Sequence, residues 1–178
     1  MNNFLLSFTT TGNLCCLEKK TPGDFLLAVK VSRFITHIKK QKVDKEVISN
    51  FFRSAGKLKE KLGPVLFLLS PKWRKKYGAT GKFFENAAEK NRYTIEFTNT
   101  SWYDGEVYAI LKKCNVAFCI YELEYHLSPM QVTADFVYVR LHGPGKKYQG
   151  SYTNASLKKM GCTMPAMEKR GKRRICLF

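Results

Sequence analysis

The chain has 178 residues, of which 44% are hydrophobic and 13% aromatic, so it can bury one sizeable core and is not a disordered polymer. Thirty-one Lys and Arg against 14 Asp and Glu leave a formal charge of +17, which points to an anionic partner, either a small molecule or a nucleic acid. The six cysteines form no CxxC pair, which argues against a disulfide framework or a zinc knuckle, assigns no metal, and favours a reducing, cytoplasmic setting.

Along the chain, the first apolar run, 4–8, is too short to cross a bilayer and lacks the basic start of a signal peptide, so no membrane association is expected. Five β-rich runs follow, over 24–33, 65–69, 92–97, 116–121 and 135–141. From Asp44, an N-cap residue, the positions Val47, Ile48, Phe51, Phe52, Ala55, Leu58 and Leu62 recur at helical spacing, and Gly63-Pro64 is expected to stop that helix. A short helix is expected over 82–90, and another over 103–114 with Val107, Ile110 and Leu111 on one face. Strands alternating with helices predict an α/β fold with a parallel sheet and right-handed crossovers.

In such sheets ligands sit beyond the carboxyl ends of the strands, so the residues closing each run are the candidates for chemistry. The first run closes with Lys30 and Arg33, and His37 follows shortly. The third carries Glu96 and leads to Trp102; the last carries Arg140 and His142, directly before Gly143-Pro144-Gly145-Lys146-Lys147. That glycine-rich loop has a phosphate-cradling composition without the spacing of a P-loop. HExxH, GxSxG and DxD patterns are absent, which removes support for metalloprotease and serine-hydrolase chemistry. No cofactor is named by any motif, and nothing implies a protein partner.

The blocks FLLAVKVSRFITHIKK, LGPVLFLLSPKW, RYTIEFTNTSW, NVAFCIYE and TADFVYVRLHGPGKKYQGSY resemble, in order and spacing, the YecE-like barrels grouped as domain of unknown function 72. The resemblance spans 21–159 and implies a parallel β/α barrel of TIM type, of which these blocks are the third to seventh strands. A full barrel has eight strands in about 250 residues, so the barrel here is expected to be incomplete, with about five. By the same resemblance the polar cluster is Lys30, Arg33, His37, Glu96, Trp102, Arg140 and His142, joined by the loop tyrosines Tyr148 and Tyr152. Leu68 and Thr98 stand where the family usually has glutamine and arginine, and both departures remove polar groups from the mouth.

Neither flank shows a strand or helix period. Read one base later, however, Met160-Gly161 and Met167-Glu168 both give tryptophan, and the tail then patterns as an amphipathic helix and a last strand. A similar displacement gives 4–19 a family-like pattern, and both frames meet the central one at lysine pairs, Lys19-Lys20 and Lys158-Lys159. The expectation is a truncated, frame-disrupted copy: segment 1–20 out of frame or disordered, a partial barrel over 21–159, and an out-of-frame basic tail over 160–178, with the chain as written inactive.

Two functions fit the intact fold. In the first, an enzyme handles an anionic, phosphate-bearing substrate at the barrel mouth. Lys30, Arg33 and Arg140 clamp the anion, Glu96 acts as base and His142 as acid. In the second, a nucleic acid is bound without turnover, basic groups meeting phosphates while Trp102, Tyr148 and Tyr152 stack on bases.

Overall fold

The computed structural model of the chain describes residues 3–7, 14–31, 45–74, 91–146, 148–162 and 173–177. All five expected runs are strands: β2 (Leu26–Lys30), β3 (Leu62–Leu69), β4 (Tyr93–Phe97), β5 (Ala117–Leu123) and β7 (Phe136–Leu141). They hydrogen-bond in that order, each parallel to the next, in the curved sheet of an incomplete TIM-type barrel. Between β5 and β7 the chain makes a hairpin rather than a helix, with β6 (His126–Leu127) antiparallel to β5. Glu124 and Tyr125 turn that hairpin at φ 51° and 64°.

The flanks differ from the expectation that they lack strands. β1 (Asn3–Ser7) pairs parallel with β2, and β8 (Arg173–Leu177) pairs parallel with β7. Five parallel strands leave a row of unpaired N–H and C=O groups on each side, and a short extended segment of almost any sequence can satisfy them. Cα atoms of β1 and β8 come within 8 Å of each other, yet among the described residues no ladder joins these strands, so a seam stays open.

Alternation sorts the strand residues onto two faces. Leu27, Val29, Val65, Phe67, Ile95, Phe97, Phe118, Ile120, Val137 and Val139 point outward into one core, where they meet the helices. On the helical side, Phe51, Ala55 and Leu58 come from α2 (Lys45–Ala55) and the 3₁₀ turn after it, Gly56–Lys61. Val107 and Leu111 come from α3 (Gly105–Lys113), whose N-cap Asp104 accepts a hydrogen bond from the Glu106 amide at 2.9 Å. The inner face holds a separate, smaller cluster of Ala28, Leu66, Ala117, Cys119, Tyr121, Phe136 and Tyr138. Two further helices are α1 (Leu14–Lys20) and α4 (Asn154–Cys162).

Gly63 and Pro64 do not follow a helix that runs to Leu62; both lie inside β3. The helix has already given way to the 3₁₀ turn at Gly56. Along β2 the pairing advances from Leu27 to Val29, while along β3 it advances from Leu62 to Val65, so β3 carries one extra residue. This is a β-bulge, where a proline without N–H is tolerated. A Cβ at Gly63 would stand 3.1 Å from the Leu27 carbonyl carbon and oxygen, so the close approach of the strands selects glycine. The helix expected over 82–90 and the cap at Asp44 lie outside the described residues.

Candidate functional site

The inner face of β4 presents Thr94 and Glu96, and that of β7 presents Tyr138 and Arg140. Glu96 is only 3% exposed. Its Oε2 accepts a hydrogen bond from Arg140 Nη1 at 2.5 Å, an ion pair between residues 44 apart in the chain. β5 lies between the two strands, so the pair reaches over the inner side of β5, where the Cys119 Sγ lies 3.6 Å from the same carboxylate oxygen. Burial, the largest single influence, would lower the basicity of Arg140, but the charge and hydrogen bond of Glu96 together with Cys119 and Tyr138 outweigh it, and the guanidinium ends above its ordinary value. Burial, reinforced by Glu96, pushes the Cys119 thiol well up, so it stands as an S–H donor and not a thiolate.

The remaining expected site residues are distributed as follows. Lys30 closes β2 and by register is level with Leu66, itself level with Thr94, one inner position short of Glu96. His142 follows Arg140 by two positions, 8% exposed, with its amide donating to the Glu122 carbonyl at 3.1 Å. Its ring meets the edge of Tyr148 at a centroid distance of 5.3 Å. Tyr148 is 69% exposed, and Tyr152 is partly buried. Burial, and secondarily the nearby Glu122 carboxylate, raise the Tyr152 phenol. Trp102 is placed apart from this group. It is buried in the outer core, stacked on Phe97 at 5.0 Å, with its indole N–H donated to the Trp73 carbonyl at 2.7 Å. Arg33 and His37 lie outside the described residues.

The glycine-rich loop uses its amides on itself. Gly145 N donates to Gly143 O, Tyr148 N to His142 O and Gln149 N to Lys146 O, a pattern that folds the loop over His142 rather than opening a ring of N–H groups to a phosphate. Gly143 has φ +105°, and a Cβ there would fall 2.5 Å from the Gln149 carbonyl oxygen. Gly143→Ala is therefore expected to cost about 1–3 kcal/mol through backbone strain, read as a lowered urea midpoint and faster proteolysis within 143–150.

Two groups of residues at this end escaped the sequence reading. One is the neutral lining beside the ion pair, Thr94, Cys119 and Tyr138. The other is a chain of rings at the tops of β4 and β5. Tyr103 Oη lies 3.1 Å from Tyr121 Oη and 3.3 Å from His126 Nε2, and both phenols donate to the Phe97 carbonyl at 3.2 Å. Burial, then their mutual contact and Glu96, hold the Tyr103 phenol far above its ordinary value. A polar residue closing a strand is visible in a sequence, whereas a tyrosine inside an apolar run reads as core. Among the described residues no group of three or more His, Cys, Asp or Glu is disposed to hold a metal ion. No helix among them is long and apolar enough to cross a membrane.

The family model described as protein of unknown function DUF72 matches residues 7–178. No curated protein matches the chain. Among solved structures, the fold is similar to that of a DUF72 family protein from Thermotoga maritima, with TM-score 0.81, 23% identity, and coverage of 99% of this chain and 76% of that one. It is also similar to a DUF72 family protein from Enterococcus faecalis, with TM-score 0.77, 17% identity, and coverage of 98% and 81%. At these identities the structural likeness is one of fold, and it agrees with the resemblance carried by the five sequence blocks. The chain belongs to the DUF72 family.

Proposed function

We propose that the carboxyl-end mouth of the barrel is the site of an enzyme acting on a small anionic, phosphate-bearing substrate. The observation that carries this reading is the buried Glu96–Arg140 pair, a carboxylate and a guanidinium held inside the barrel instead of on its surface. A guanidinium has five N–H donors and the Glu96 contact engages Nη1, so Arg140 can orient the carboxylate and meet a substrate oxygen together. Lys30 and Arg33 supply further positive charge for the anion, Glu96 takes a proton from the substrate, and His142 returns one. A buried site restricts water and strengthens each of these interactions. The buried thiol of Cys119, in no disulfide, fits a cytoplasmic protein.

Nucleic-acid binding without turnover is the weaker reading, because base stacking needs open aromatic faces. Trp102 has a face covered by Phe97 and its donor taken by Trp73, which leaves the exposed Tyr148 and the surface charge to hold a strand.

Thermal melting separates the two. Inorganic phosphate and phosphomonoesters at a hundredfold excess over Kd are expected to stabilise the protein by about 2.7 kcal/mol, a rise in Tm of roughly 5–10 °C. Lys30→Gln is expected to lose most of that rise. No shift with any phosphomonoester, together with a salt-dependent shift on adding a single-stranded oligonucleotide, would sink the enzyme reading in favour of the binder.

A further inference from the structure

The inner face carries polar groups that proton transfer at the mouth does not use. Thr94 on β4 and Tyr138 on β7 are both 0% exposed, and among the described residues neither side-chain oxygen has a hydrogen-bond partner. Buried hydroxyls are nearly always paired in native interiors, because an unpaired one bears its full desolvation penalty. Two of them on the same inner face therefore call for a partner that the protein itself does not supply.

Their placement defines what the site adjoins. Thr94 precedes Glu96 by two positions and Tyr138 precedes Arg140 by two, so the hydroxyls form the level directly beneath the ion pair. Cys119 is the register partner of Tyr138 and touches Glu96, which ties the two levels together. Ala117 is the register partner of Thr94, and Ala28 belongs to the same inner cluster. TIM barrels commonly fill such a layer with bulky branched side chains; here one such side chain, Leu66, the register partner of Thr94 on β3, is joined by two alanines and two hydroxyls. Burial, with Cys119 adding and Arg140 opposing, holds the Tyr138 phenol above its ordinary value, so it remains a donor across the physiological range.

We propose that Thr94 and Tyr138 form an inner subsite that takes an uncharged, hydroxyl-bearing part of the substrate. The proposal rests on the mouth reading above and extends it: the anion stays at the mouth above Glu96 and Arg140, while the neutral end descends past that pair. The substrate class is then a phosphorylated polyol or sugar. Tyr138 Oη donates to a substrate hydroxyl, and Thr94 Oγ1 accepts from one or donates to it.

Calorimetric titration of the whole chain with inorganic phosphate and with glycerol 3-phosphate tests the two levels separately. Glycerol 3-phosphate is expected to bind about 10-fold or more tightly than phosphate. Tyr138→Phe and Thr94→Val are each expected to remove about 3- to 10-fold of that preference while leaving phosphate affinity unchanged. Equal affinity for the two probes in the unmodified chain, or full preference retained in both variants, overturns the subsite and leaves the mouth reading standing. Melting without any probe gives an independent measure. Both variants are expected to hold Tm or raise it by about 2–4 °C, since each removes an unpaired buried hydroxyl; a fall of that size would mean the hydroxyls hold the fold together and would overturn the subsite. If neither probe binds, the mouth reading falls, and the melting comparison alone decides the subsite.

Discussion

Arg140→Met is expected to destabilise the protein by about 3–5 kcal/mol, a large part of a total that for a domain of this kind is about 5–15 kcal/mol. The loss comes less from the missing contact than from what stays behind. Glu96 is 3% exposed and pairs with Arg140, so the variant encloses a carboxylate stripped of that counter-charge. Burial makes an uncompensated charge costly, and the variant bears that cost only in its folded state, so the loss should appear as a lowered midpoint in urea titrations. Glu96→Leu combined with Arg140→Met removes both charges and is expected to recover most of the loss, as paired replacements of buried ions commonly do. A single variant as stable as the parent at pH 8 would show that the pair is solvated, and would remove the buried charge on which the proposed chemistry depends.

The five central strands were legible because each is an apolar, β-branched run bounded by turn residues. Glu96 and Arg140 were legible because charges stand out at the close of such runs. What the sequence withholds is curvature. Alternation along β4 separates Thr94 and Glu96 from Tyr93, Ile95 and Phe97, but it does not say which set faces the inside of a barrel. Thr94, Cys119 and Tyr138 therefore read as core until the sheet is closed around them, and Trp102 reads as a mouth residue until Phe97 and Trp73 are seen to occupy it. The β5–β6 hairpin was hidden for a related reason. Glu124 and Tyr125 turn it at positive φ without the Asn-Gly or Asp-Gly signal that usually marks such turns. At Gly63-Pro64 the stop signal was real but its target was different: the pair interrupts a strand ladder at a bulge and not a helix.

The flanking strands were the least legible, and they make the largest remaining prediction. β8 reads RRICL and carries no alternating pattern of its own; it forms because β7 offers it a ladder. A chain ended after Cys162 is expected to lose monodispersity, with concentration-dependent association in sedimentation and increased binding of a hydrophobic dye. The strand bared by that cut, Phe136–Leu141, reads FVYVRL, six residues of high β-propensity with a single charge. That one charge, Arg140, points inward to Glu96, so it cannot guard the edge. β8 by contrast places Arg173 and Arg174 on the outermost strand, and charges on an edge oppose pairing with another chain. The cut thus exchanges a guarded edge for an unguarded one that has the composition of a cross-β segment. It also widens the seam facing β1 by a full strand spacing of about 4.8 Å, wetting the inner face beside Tyr138 and Arg140. Arg174→Glu together with Arg173→Glu in the whole chain keeps the edge charged and is expected to leave it monodisperse, which separates edge protection from the sign of the charge. A shortened chain that stays monodisperse, with the urea midpoint of the parent, would mean that β7 is protected without β8 and that the five central strands are sufficient by themselves.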